Sequence, residues 1–214
     1  MYLYECIYNN MYSDLCLFGD VIPLSMRCDA KKLLNEVKDF NRMQYNPRKD
    51  IKRNGLSITS LDGELNGIDL DSITEYNSQN NTSYNEMSFT QFTDVYFSSE
   101  EIKKIVQPFE DYIGRTHIIE LGVGGFFPPH RDLPVYSQNQ QSLRILIPLK
   151  NCNPPDMYFT YDENTLFFEH GRAYFINTNK MHSLFSFSGS SFIVCNVKAC
   201  EEVYTIIGRY FRHR

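Results

Sequence analysis

A mainly β fold is what this sequence predicts: a double-stranded β-helix of the jelly-roll, cupin-like kind, with flanking N-terminal helices and a long polar cover segment. Three observations predict it. Eight short β-rich runs fill residues 116–198 with no helical interruption, and turn residues separate them, as two facing antiparallel sheets require. Before them, two stretches carry apolar residues at helical spacing. Between those stretches lies a segment too long and too polar to be an ordinary connection.

Taken in order, residues 15–24 read as a strand. Residues 29–43 place Leu33, Leu34, Val37 and Phe40 on one helical stripe, with Asp29 as the N-cap. Residues 45–93 are rich in Asn, Ser, Gly and Asp, yet Tyr45, Leu56, Ile58, Leu65, Ile68, Tyr76, Tyr84 and Phe89 supply anchors for an ordered cover. Such a cover is expected to face substrate. Residues 99–113 form a second helix, capped by Ser98 or Ser99 and disturbed at Pro108. The strands then run 116–121, 126–132, 143–149, 157–161, 166–168, 173–177, 182–187 and 191–198. One structural domain is expected: a helical and loop cover over 1–114, a jelly-roll core over 115–200 and a tail over 201–214.

Composition narrows the function. In a chain of 214 residues with 42% hydrophobic and 22% charged residues, a formal charge of −5 argues against nucleic acid as the main partner. No run reaches the ~20 apolar residues of a membrane span, and the first residues lack a basic start followed by an apolar core. The six cysteines show no CxxC spacing, so reduced thiols and cytoplasmic residence are expected.

The chemistry concentrates in Gly122-Val-Gly-Gly-Phe-Phe-Pro-Pro-His130-Arg-Asp132 and in Asn177-Thr-Asn-Lys-Met-His182. Successive side chains of a strand point to opposite faces, so His130 and Asp132 project together while Arg131 points away. His182 heads a later strand that barrel closure brings alongside. Two imidazoles and a carboxylate on one face form the facial triad of non-haem iron, which leaves adjacent coordination positions open; a structural zinc site would be closed by a fourth protein ligand. A lone HxD is weak evidence. Its order within the chain, a Gly-rich strand, HxD, a β-meander and then a strand-initial His, is what gives it weight.

These residues, together with Leu143-Arg144-Ile-Leu-Ile-Pro148-Leu and Gly171-Arg-Ala-Tyr174-Phe-Ile-Asn177, resemble the Fe(II)- and 2-oxoglutarate-dependent oxygenases, in particular the branch of aspartyl/asparaginyl β-hydroxylase-like proteins and free-amino-acid hydroxylases. The resemblance covers roughly residues 115–198. It implies that His130, Asp132 and His182 hold Fe(II), that 2-oxoglutarate chelates the metal, and that oxygen converts it to succinate and carbon dioxide while an unactivated C–H bond is hydroxylated. Relatives that halogenate lose the carboxylate ligand, so Asp132 favours hydroxylation. The implied substrate is a small polar molecule, such as an amino acid, or a peptidyl side chain.

A buried remote carboxylate of 2-oxoglutarate needs a cation beside it. The resembled pattern commonly carries an Arg on the last strand, whereas residues 188–194 read Ser-Gly-Ser-Ser-Phe-Ile-Val. Arg144 is the replacement candidate; alternating against Leu143, Ile145 and Ile147, it either reaches into the barrel or caps its outside. Arg172 and Lys198 are weaker candidates. Asn177 and Asn196 either orient the ligands and co-substrate or cap a turn and a strand end. His117 reads as a core or surface histidine with a supporting role as the alternative, while His170 and His213 fall in a turn and in the basic tail. The basic stretch around Arg48 and Arg53, and residues 57–63, are candidate substrate contacts. Two further readings stay open: a cupin-like isomerase or lyase that does not use 2-oxoglutarate, and a jelly-roll binding module without catalysis.

Overall fold

The computed structural model describes residues 11–45, 50–70, 72–132 and 142–211 of the chain. After a helical turn over 11–17, its elements are β1 (Val21–Arg27), α1 (Ala30–Glu36), β2 (Met43–Gln44), β3 (Arg53–Ser57), β4 (Thr59–Ser60), α2 (Ile73–Asn80), β5 (Gln91–Phe92), α3 (Asp94–Phe97), α4 (Glu100–Val106), β6 (Ile113–Leu121), β7 (Phe126–His130), β8 (Ser142–Lys150), β9 (Met157–Tyr161), β10 (Asn164–Leu166), β11 (Arg172–Ile176), β12 (His182–Ser186), β13 (Ser190–Lys198) and α5 (Glu201–Arg209).

A large sheet runs in the order β1-β11-β8-β13-β6-β3-β2 and a small one in the order β10-β9-β12-β7. From β6 onward the chain passes back and forth between the two, which is the jelly-roll winding. Every strand pair is antiparallel. Strand alternation splits the apolar residues between the two faces of the large sheet. Leu143, Ile145 and Ile147 of β8 and Ile193, Cys195 and Val197 of β13 pack toward the helices; Leu146 and Phe192, one step out of phase, pack between the sheets with Ile119, Phe159 and Ile176. The β8 run is therefore apolar nearly throughout, as a strand covered on both faces must be.

Several elements depart from the sequence expectation for local physical reasons. The helix expected over 29–43 begins as expected, with the Asp29 carboxylate accepting from the Lys31 and Lys32 amides, but ends at Glu36. Arg42 collects the carbonyls released there, donating from Nη1 to Val37 O at 2.6 Å and Phe40 O at 2.7 Å; the chain then turns into β2. Residues 15–18 belong to a helical turn and not to a strand. Tyr12 and Leu15 are buried three residues apart, and Gly19, at φ +138°, redirects the backbone into β1. The second helix gives way at Pro108 to a 3-10 turn over Gln107–Tyr112. The strand expected over 166–168 lies at Asn164–Leu166, because Asp162 takes a left-handed φ of 50° and closes a tight hairpin with β9.

The segment before residue 115 supplies strands as well as helices and loops. β1 pairs with β11, and β3 pairs with β6 through Gly55↔Ile119 and Ser57↔His117, so part of the expected cover is built into the large sheet. The Gly-rich turn before β7 is gripped by the same segment: Gly122 N donates to Lys52 O at 2.9 Å, and a Cβ on Gly125 would stand 2.4 Å from that carbonyl. Cys16, Cys28, Cys152, Cys195 and Cys200 are free thiols. No helix among the described residues is long and apolar enough to cross a membrane.

Candidate metal centre

His182 opens β12 and lies directly opposite His130, the final residue of β7. That register alone brings the two imidazoles to a centroid separation of 4.3 Å. Asp132 does not continue the strand as its sequence suggested. Beyond His130 there is no β12 partner left to pair with, and Asp132 is held instead by its amide donating to Thr178 O at 3.1 Å. Its carboxylate nonetheless reaches the same point: Oδ1 stands 3.6 Å from His130 Nε2 and 3.9 Å from His182 Nε2. The potential ligand atoms of these three residues all lie within 4.8 Å of one another.

The two rings are oriented in the same way. His130 Nδ1 lies 2.7 Å from Pro128 O, and His182 Nδ1 lies 2.9 Å from Lys180 O, in each case the carbonyl two residues upstream. A carbonyl can only accept, so each Nδ1 carries the proton and each Nε2 lone pair is left facing Asp132 Oδ1. Burial holds the His182 imidazolium form below its usual range, against the pull of Lys180 O and Asp132, which keeps Nε2 available as a donor. Burial pushes the Asp132 carboxyl up, but Arg144, His182, the Thr178 hydroxyl and His130 outweigh it, and the net displacement is downward.

Arg144 supplies the largest of those favourable contributions. Its Nε donates to Asp132 Oδ2 at 2.8 Å, and Nη2 lies 3.5 Å from Glu86 Oε1. Both carboxylates hold its guanidinium charged despite burial. With Oδ2 engaged, Oδ1 is the oxygen directed at the histidines. Glu86, contributed by the polar segment, also accepts from Arg115 Nη1 at 3.2 Å and from Asn196 Nδ2 at 3.0 Å. No sequence pattern marked Glu86 for this role: only the Asn85 and Ser88 capping box around it was locally readable.

The centre opens into a cleft of about 110 Å³ running between the sheets. Phe127, Phe159, Ile176, Leu184 and Phe192 line it with apolar surface, and Tyr45, His117, Arg144 and Thr178 add the polar groups. Arg144 therefore reaches inward, as one of its two sequence readings required, but it is engaged with the Asp132 carboxylate.

Of the two readings of Asn177 and Asn196, a place beside the co-substrate or a cap for a turn and a strand end, the first is not met, since neither lines the cleft. Asn177 is committed to the loop ahead of β12: its Oδ1 accepts from Tyr12 Oη at 2.7 Å, its Nδ2 donates to Asp20 Oδ1 at 2.8 Å, and its carbonyl accepts from Tyr161 Oη at 2.7 Å. Asn196 is spent on Glu86 and on Arg115 O. Arg172 donates to Leu24 O on the outer side of β11, and Lys198 ends β13 opposite Ser142. Arg53 lies over the Phe127 ring at 4.3 Å and the Tyr45 ring at 5.5 Å, two residues that line the cleft, whereas none of residues 57–63 lines it: Ser57 Oγ donates to Asp69 Oδ1, and Asp62 Oδ1 accepts from the Glu64 amide. Arg48, Cys6 and His213 lie outside the described residues.

No family model matches the sequence, and no curated protein matches it. Among solved structures of similar fold, the viral collagen prolyl hydroxylase vCPH from Paramecium Bursaria Chlorella virus-1, solved as a 2OG complex, aligns over 87% of this chain and 99% of its own, with a TM-score of 0.48 and 9% identity. A 2OG-Fe(II) oxygenase family oxidoreductase from Burkholderia pseudomallei aligns over 92% of this chain and 90% of its own, at 0.47 and 11%. An RmlC-like cupin from Shewanella frigidimarina NCIMB 400 covers 44% of this chain and 74% of its own, at 0.31 and 13%. At such identities these are likenesses of fold.

Proposed function

We propose that this protein is a non-haem Fe(II)- and 2-oxoglutarate-dependent dioxygenase that hydroxylates a small polar substrate, an amino acid or a peptidyl side chain. One observation carries the reading. Two Nε2 atoms and one carboxylate oxygen, each oriented by a hydrogen bond to its other donor or acceptor atom, converge at the end of a cleft between the sheets. The donor set of two neutral imidazoles and one carboxylate suits ferrous iron and leaves coordination positions for small molecules.

His130 Nε2, His182 Nε2 and Asp132 Oδ1 would hold the metal. When bound, iron and 2-oxoglutarate together supply oxygen activation and the oxidising power for hydroxylation. The chain's own residues prepare that chemistry. Arg144 keeps Asp132 ionised and presents a single oxygen; Phe127, Phe159 and Leu184 keep bulk water from the inner cleft; Tyr45 and Arg144 offer a hydroxyl and a cation where a polar substrate approaches.

Anaerobic addition of Fe(II) and 2-oxoglutarate tests the proposal. A visible charge-transfer band is expected in the wild-type protein and absent from His130→Ala and His182→Ala. A folded wild-type protein that binds metal yet gives no band overturns it. Oxygen-independent turnover without succinate would assign the same cleft to isomerase or lyase chemistry.

A further inference from the structure

We propose that the inner cleft contains a carboxylate subsite headed by His117, with Asp69 behind it, and that it takes the remote carboxylate of a 2-oxo dicarboxylic acid. The proposal rests on the function proposed above and adds to it the residue that reads the second carboxylate. Phe192 and Val194 are the β13 residues that line the cleft, so this strand offers a carboxylate no cation there. His117, on β6, is the direct ladder partner of Val194 and lines the same cleft.

His117 is 1% exposed, and its Nδ1 makes no hydrogen bond. Facing that atom at 3.8 Å is Asp69 Oδ2, which is equally buried and equally without a partner. Two opposed polar atoms left unsatisfied in an interior are costly, and both are satisfied if the gap closes by less than about 1 Å. The rest of Asp69 is fixed: Ser57 Oγ donates to Oδ1 at 2.5 Å, and Arg115 Nε donates to its carbonyl oxygen. Ser57 is the β3 ladder partner of His117, and β3 itself is part of the polar segment built into the sheet.

His117 lines the cleft beside the Tyr45 ring, whose centroid lies 5.4 Å away, and with Nδ1 facing Asp69, Nε2 is the ring nitrogen left for a ligand in the cleft. Burial raises the Asp69 carboxyl to about 6, and burial with Arg115 and Arg144 lowers His117 well below its usual value. A ligand carboxylate at Nε2, together with Asp69 at Nδ1, favours protonation of the imidazole between them, and the contact is then charge-assisted.

Binding to the full-length, Mn(II)-loaded protein tests this without turnover, with 2-oxoglutarate compared with 2-oxobutyrate, which has the same chelating end and no second carboxylate. The wild-type protein is expected to prefer 2-oxoglutarate by roughly tenfold or more. His117→Leu should erase that preference while leaving Mn(II) and 2-oxobutyrate affinities unchanged. Asp69→Asn, which keeps the imidazole but not its carboxylate partner, should reduce the preference and serves as the arm that decides if the leucine variant does not fold. A preference that survives in the folded variants overturns the assignment of His117. A metal-loaded wild-type protein that binds neither acid overturns the proposed function instead, and one that binds both equally shows that no second-carboxylate subsite exists.

Discussion

Arg144 offers the sharpest test of how the metal centre is built, and Arg144→Lys is the informative change. It keeps the positive charge, so the repulsion between residue 144 and a divalent ion is nearly unchanged and drops out of the comparison. It removes the planar fork that reaches Asp132 Oδ2 at 2.8 Å and Glu86 Oε1 at 3.5 Å together. A lysine ammonium, as one point, satisfies either carboxylate but not both. Hydrogen bonds to charged groups contribute about 1.5–3 kcal/mol, and losing the partner that orients a metal ligand typically costs about 10–100-fold in affinity. The lysine retains part of the contact, so Mn(II) binding should weaken by about tenfold, at the low end of that range. Arg144→Met loses the orientation but also relieves the repulsion, and should bind the metal more tightly than the lysine variant. Titration calorimetry of both variants against the wild-type protein reads these differences, with thermal melting as the control for folding. If both variants bind Mn(II) within about twofold of wild type, Arg144 does not position Asp132.

Three further changes probe the surroundings. A Cβ in Gly114→Ala would stand 2.5 Å from Glu86 O and 2.8 Å from Met87 Sδ; urea unfolding should show a loss of about 1–3 kcal/mol, and an unaltered midpoint would mean that the polar segment yields freely. Tyr161→Phe removes the donor to Asn177 O and should cost about 0.5–1.5 kcal/mol in the same assay while sparing most metal affinity, since the His182 ring is oriented by Lys180 O. The Glu101 carboxyl is held down to about 2 by Lys104, the Asp29 amide and Lys32, which outweigh burial. A depressed folded value means its contribution is complete above the unfolded value of 4.5 and is lost as pH falls from there toward 2. Glu101→Gln should therefore flatten the acid limb of the stability profile, and an unchanged limb between those pH values would refute the account.

What the sequence made legible follows from distance along the chain. His130 and Asp132 are two residues apart and readable as a local pair, whereas His182 joined them only through the expected strand order and barrel closure, which the β7–β12 pairing supplies. The strands of the core were legible because each is short, apolar and bounded by turn residues. Contacts that join distant segments left no local trace. Asp69 stands behind His117 through pairing between β3 and β6, and Glu86 reaches Arg144 across 58 positions. The helix over 29–43 was overestimated because its apolar stripe continues through Phe40, whereas the guanidinium of Arg42 takes the carbonyls that ended the helix early. The direction of Arg144 was left open by alternation alone; its partner, once seen, showed an arginine aimed inward but held by a ligand carboxylate.

The large sheet separates the requirements of stability from those of chemistry. On its helix side, Ile145, Ile193, Val197 and their neighbours form a core with α1, α4 and α5 that contains no residue of the proposed metal centre. On its other side, alternate residues of the same strands meet the small sheet, apolar at one end and carrying Arg144, His117 and Asn196 toward the other. Each strand of the large sheet thus alternates a residue that holds the fold with one that shapes the cleft, and a one-residue slip in register would exchange them. β13 pairs on both edges, with β8 and with β6, so its register is fixed twice. His117, whose Nδ1 is unsatisfied, lies on the cleft face, so a substitution there tests ligand binding without touching the helix-side core that holds the sheet in place.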